Sequence, residues 1–139
     1  MNILIICTGN TCRSQMAEGF LKKIAPEFQV YSAGTNAEGK VNPFAIKAMS
    51  ELGIDISTQQ SETVDKYLDK AFDYVITVCD GAKESCPVFL GDVKHRIHIG
   101  FDDPAAEKGN EEEFMPVYRR VRDEIRNEFT NFYHKIKTS

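Results

Sequence analysis

Fourteen residues, MNILIICTGNTCRS, constrain this chain more than any other stretch. Ile3 to Ile6 is an unbroken apolar run without polar alternation, the pattern of a strand buried on both faces. It runs directly into Cys7, and after five intervening residues come Arg13 and Ser14. Strand, short loop and helix in that order suit a β-α unit and hence a parallel sheet. The loop itself, Thr8, Gly9, Asn10, Thr11 and Cys12, can aim successive backbone N–H groups at one point. Gly9 and Asn10 tolerate the left-handed conformations such a nest needs. The helix start adds partial positive charge, and Arg13 can grip two oxygens of an anion at once. The result is a cradle for a tetrahedral oxyanion with the Cys7 thiol at its base. The same field favours thiolate at Cys7, because a free cysteine titrates near ~8.5 and a helix terminus with a neighbouring cation lowers this by several units. Ser14 can donate a further hydrogen bond to that thiolate.

The rest of the chain extends the pattern. A helix from about Cys12 carries Met16, Phe20 and Ile24, and a second strand, Phe28 to Ser32, closes at Ala33-Gly34. Asn42-Pro43 is an N-cap with proline at the first helical position, and Gly53 ends that helix. A third, short helix is expected from about Glu62 to Asp69. Asp73 to Val78 is a buried strand ending at Cys79, residues 80–94 read as loop, and Arg96 to Ile99 is a fourth strand. A long helix from about Glu112 to Lys135, with Pro116 in its first turn, closes the chain. The order β-α-β-α-α-β-β-α predicts one α/β domain over residues 1–139, a four-stranded parallel sheet with helices on both faces. Ligands of such folds sit beyond the carboxyl ends of the strands. Cys7, Cys79 and Asp103 all fall there.

Composition narrows the chemistry. A net charge of −4 argues against nucleic acid as a partner. No stretch approaches the ~20 apolar residues of a membrane span, and no basic segment precedes Ile3 as in a signal peptide. A cytoplasmic, monomeric protein is therefore expected, and its four cysteines are better suited to catalysis or redox work than to a permanent framework. Asp103, followed by Pro104, is the candidate general acid, with Asp102 its neighbour and competitor. Cys79 and Cys86 are separated by six intervening residues, too many for a zinc hook, and His95 and His98 face opposite sides of a strand, so no metal site is expected from these residues. Cys86 lies in a polar segment with glycine and proline, where a reactive thiol is expected to be exposed. Cys12 can either pair with Cys7 or pack.

These residues resemble the low-molecular-weight protein tyrosine phosphatase superfamily, and within it the thioredoxin-coupled arsenate reductases. CTGNTCRSQMAEGF is similar to the phosphate-loop region, YSAG to the second strand and VNPFAIKAM to the second helix. VCDGAKESCP resembles the segment carrying the redox pair, and GFDDPA the acid loop. The resemblance implies catalytic roles for Cys7, Arg13, Ser14, Cys79, Cys86 and Asp103. It implies arsenate or phosphate bound by residues 8–13, and a Cys79–Cys86 disulfide that thioredoxin, or alternatively glutaredoxin, reduces. No tightly bound cofactor is implied beyond an external thiol reductant. A potassium ion near Asn10, Ser32 and Glu62 is the one metal the family raises. Gln60 and Glu62 stand here where the family pattern has Thr and Asp.

A phosphotyrosine phosphatase would need only Cys7, Arg13, Ser14 and Asp103. Three features favour the reductase: the cysteine triplet, Ala105 where phosphatases of this superfamily carry tyrosine, and little aromatic wall in residues 36–44. Phe44 there reads as a core residue of its helix. Weak phosphatase action is expected alongside reduction.

Overall fold

The computed structural model describes residues 1–80 and 88–138. Its sheet has four parallel strands in the order β2-β1-β3-β4, with β1 spanning Asn2–Cys7, β2 Gln29–Gly34, β3 Phe72–Thr77 and β4 Val93–His98. The first strand is central, and Ile3, Leu4, Ile5 and Ile6 are all 0% exposed, which is why this run shows no alternation. Each such side chain contributes about 1.5–3 kcal/mol of transfer free energy. Register fixes the functional edge: Cys7 pairs with Gly34, Ile6 with Thr77, and Thr77 with His98.

Helical segments cover both faces, unequally. Ile3, Ile5 and Cys7 face the larger core. That core is completed by α1 (Arg13–Ile24), α2 (Pro43–Ser50) and α3 (Glu111–Lys137), through residues such as Met16, Phe20, Met49, Ile125 and Phe129. Leu4 and Ile6 point the other way, into a smaller cluster with Ala33, Phe72, Val75 and Phe89.

The expected third helix is corrected here: residues 64–67 form one 3-10 turn, Val64–Tyr67. Its Val64 and Tyr67 pack on the small cluster while Leu68 stays exposed, so the segment has no apolar stripe long enough to hold an α-helix on the sheet. Pro116 is also displaced from expectation, since α3 begins at Glu111 and places it in the second turn. Asn110 sets that start by accepting a hydrogen bond from Glu113 N at 3.0 Å. The carbonyl of Glu112 thereby loses its helical donor, at a place where both Glu112 and Pro116 are exposed and water can serve. Asn42 caps α2 as expected, accepting from Phe44 N at 2.8 Å, and Gly53 takes a φ of 76° just beyond it.

Candidate active site

The loop from Cys7 to Arg13 is held from outside by its carbonyl groups. Thr8 O accepts from Asn36 N at 3.0 Å, Gly9 O from Glu38 N at 3.1 Å and Thr11 O from Asn42 N at 2.8 Å. Asn10 O accepts from the buried Gln15 side chain at 2.9 Å. A planar trans peptide points its N–H opposite its C=O. Four outward carbonyls therefore turn the N–H groups of Gly9, Asn10, Thr11 and Cys12 inward, toward one cavity. Asn10 has a φ of 52°, the left-handed turn expected of it. No side chain caps the start of α1 and no acidic residue occupies its first turn, so the positive end of the helix faces the same cavity.

Gly34 is a functional position that sequence reasoning noted only as a strand end. A Cβ there would lie 2.4 Å from Thr8 O and 3.1 Å from Asn10 N. The close pass of β2 under the loop thus needs glycine. Gly34→Ala is expected to cost about 1–3 kcal/mol through overpacking, read as a lower urea midpoint. An unchanged midpoint would mean the loop shifts freely and is not held from below.

Cys7 ends β1 and is 4% exposed, and neither Cys7 nor Cys12 is disulfide-bonded. Burial pushes the Cys12 thiol well up, and the nearby Asp103 carboxylate adds to this, so Cys12 stays neutral. Arg13 is buried, donates from Nη1 to Phe101 O at 3.2 Å, and brings Nη2 to 3.6 Å from Asp103 Oδ2. Ser14 Oγ accepts from Asn10 Nδ2 at 2.8 Å, which leaves its own proton to donate.

The two adjacent aspartates separate cleanly. Asp103 caps the Pro104–Ala106 3-10 turn, accepting from Ala105 N at 3.0 Å, and lines the cavity. Asp102 pairs with Arg120 at 3.1 Å on the surface.

Cys79, just beyond β3, is fully buried and disulfide-bonded. Cys86 lies outside the described residues. His95 stacks on Tyr74 and His98 bonds Thr77 Oγ1 at 2.8 Å, and among the described residues no group of His, Cys, Asp and Glu could hold a metal ion.

The cavity over the cradle measures about 600 Å³. Phe44 packs against the larger core, as expected of it, and also reaches the cavity wall. Phe44 is half-buried and lines the cavity together with Phe114 and Tyr118 of α3, its ring centroid 4.7 Å and 5.9 Å from theirs. The aromatic wall missing from residues 36–44 comes from a helix some seventy residues away, where no local pattern could announce it. Tyr118 accepts from Asn42 Nδ2 at 2.9 Å, and burial pushes its hydroxyl up to about 12.

Behind the cradle, the residues expected around a potassium ion are engaged otherwise. Ser32 Oγ donates to the buried Glu18 at 2.5 Å and accepts from Asn10 Nδ2 at 3.0 Å. Asn10 Oδ1 accepts from Glu62 N at 2.9 Å. The Glu62 carboxylate pairs with Lys66 and accepts from Tyr67 OH, and Gln60 O accepts from Gln15. Glu18 itself meets Lys22 Nζ at 2.5 Å. Two ammonium groups thus take the carboxylates a cation would use. Glu18 was not foreseen; its i,i+4 spacing to Lys22 was the available signal.

Comparison with known proteins agrees with this geometry. Residues 2–139 match the family described as low molecular weight phosphotyrosine protein phosphatase. An arsenate reductase of Halalkalibacterium halodurans is 53% identical over 131 residues, covering 94% of this chain and 93% of that protein. A solved arsenate reductase in the phosphate binding state superposes with a TM-score of 0.80 at 32% identity, covering 97% of this chain and 98% of that one. Another in the oxidized state does so with a TM-score of 0.80 at 31% identity and the same coverage. Motif, topology and family match coincide, and the chain belongs to the low molecular weight phosphotyrosine protein phosphatase family.

Proposed function

We propose that this protein reduces arsenate to arsenite, with Cys7 as nucleophile, and that a thioredoxin-type dithiol protein restores it. The observation that carries this reading is a thiol at the base of an oxyanion cradle with Cys79 at the end of the adjacent strand. The 53% identity to an arsenate reductase supports the choice of substrate.

The chemistry follows in three steps. The Cys7 thiolate attacks arsenic(V), an As–O bond breaks, and Asp103 protonates the departing oxygen. Inward N–H groups and Arg13 hold the remaining oxygens, with Asp103 aligned beside the guanidinium. Next, a Cys79 thiolate attacks the sulfur of Cys7. The S–As bond breaks with its electron pair on arsenic, which leaves as arsenite, and a Cys7–Cys79 disulfide forms. Finally a Cys86 thiolate attacks the Cys79 sulfur, freeing Cys7 and leaving a Cys79–Cys86 disulfide. The external dithiol then supplies two electrons and two protons. A disulfide at Cys79, with Cys7 outside any disulfide, is what the relay leaves at its end. Ser14 supports the Cys7 thiolate with the proton it keeps, and Cys12, neutral and buried, takes no step.

Cys79→Ser tests the relay. One equivalent of arsenate should still be taken up by Cys7, while sustained reduction falls to background. Sustained turnover in this variant would remove Cys79 from the cycle. A second reading, a phosphomonoesterase working at the same Cys7, is favoured by the cavity's size and by the Phe44, Phe114 and Tyr118 wall. It requires p-nitrophenyl phosphate hydrolysis that outpaces arsenate reduction and is untouched by Cys79→Ser. Among the described residues no helix is long and apolar enough to cross a membrane.

A further inference from the structure

The pocket behind the cradle, a cavity of about 390 Å³, is separate from the one over Cys7 and shares Asn10's side-chain network with it. We propose that the Lys22 ammonium is the resident cation of this pocket, a positioning residue that makes a bound monovalent cation unnecessary in this chain. The proposal rests on the cradle's geometry and not on which oxyanion it takes.

Glu18 anchors the network behind the cradle. Its side chain is 8% exposed and lies under the cradle. A carboxylate so buried must be paired, because an uncompensated charge there is strongly unfavourable. Ser32 gives one hydrogen bond to Oε1, and Lys22, one helical turn further along α1, brings Nζ to 2.5 Å from Oε2. From Glu18 the contacts lead inward without a break. Ser32 Oγ, fixed by Glu18, accepts from Asn10 Nδ2 at 3.0 Å, and the same amide donates to Ser14 Oγ at 2.8 Å. Asn10 is also the left-handed residue of the loop. The position of the Glu18 carboxylate therefore sets which way the Ser32 hydroxyl points. That in turn sets the orientation of Asn10 and the proton that Ser14 keeps for Cys7.

Lys22 is half exposed and ordinarily would count as a weak surface pair. Here its partner is buried, so loss of the ammonium leaves an oxygen-lined anionic pocket. Potassium could then enter it. Glu62, the second carboxylate on this pocket, carries its own ammonium from Lys66.

The test compares melting of the full chain in potassium chloride and in choline chloride at equal ionic strength. A cation that binds only the folded state raises stability with its concentration. The wild type should melt at one temperature in both salts. Lys22→Met should melt lower in choline chloride and recover, saturably, in potassium chloride. Lys22→Arg should behave as wild type, and Glu18→Gln combined with Lys22→Met should be indifferent to the salt. With p-nitrophenyl phosphate as probe, Lys22→Met should show a KM several-fold higher in choline chloride than in potassium chloride, and the wild type the same KM in both. Saturable stabilisation of the wild type by potassium would overturn the proposal. So would a Lys22→Met protein that melts like wild type in choline chloride, or one whose loss potassium does not recover.

Discussion

Cys7→Ser is expected to remove turnover almost entirely, by more than ~10⁴-fold, because the deleted sulfur is the only group in the scheme that forms a bond to the oxyanion's central atom. A serine hydroxyl at the same place has no comparable acidity, and the cradle's field cannot ionise it. The cradle itself should survive the change. Its N–H groups are aimed by the outward bonds of Thr8, Gly9, Asn10 and Thr11, none of which involves the Cys7 side chain. Phosphate should therefore bind the variant within a few-fold of wild type by calorimetry, while arsenite production and p-nitrophenyl phosphate hydrolysis both vanish. Retained turnover with either substrate would mean that another group, such as Cys12 on the same cavity, is the nucleophile. The upward push on the Cys12 thiol argues against that outcome.

Arg13→Lys should be nearly as damaging, although it keeps the charge. The guanidinium is held in its plane by Phe101 O on one nitrogen and stands 3.6 Å from Asp103 on another. A lysine offers a single point of charge and cannot satisfy both while also facing the anion. A fall of about 10²–10³-fold in kcat/KM is expected, the scale seen when one donor to a developing charge is lost. KM should rise as well, since the same fork holds the ground-state oxyanion. A change confined to a few-fold would show that Arg13 only fills space.

Much of this was legible in the chain because the determining interactions are local. The buried strand, the Cys7-to-Arg13 motif and the caps at Asn42 and Gly53 are each written in residues close together in the chain, although Asn36, Glu38 and Asn42 hold the cradle's carbonyls. The parallel sheet followed from alternation of strands and helices, whereas the strand order β2-β1-β3-β4 is set by pairing between distant segments. What escaped depends on contacts distant in sequence. Phe114 and Tyr118 reach the cavity only once α3 lies across α2, and nothing in residues 36–44 foretells them. Gly34 matters because Thr8 O passes over it, a constraint that exists only after β1 and β2 pair. Residues 62–69 looked helical from composition, yet the small cluster offers them room for two side chains and one turn. The placement of Cys86 falls outside the described residues, and its role rests on the proposed chemistry.

The most direct test of redox chemistry at this cradle is arsenate-dependent NADPH oxidation with thioredoxin and thioredoxin reductase, with p-nitrophenyl phosphate hydrolysis measured on the same preparation. Sustained NADPH loss that requires arsenate, with only slow hydrolysis, is the predicted result. Brisk hydrolysis without arsenate-dependent NADPH loss would contradict it and leave Cys7 serving a phosphatase.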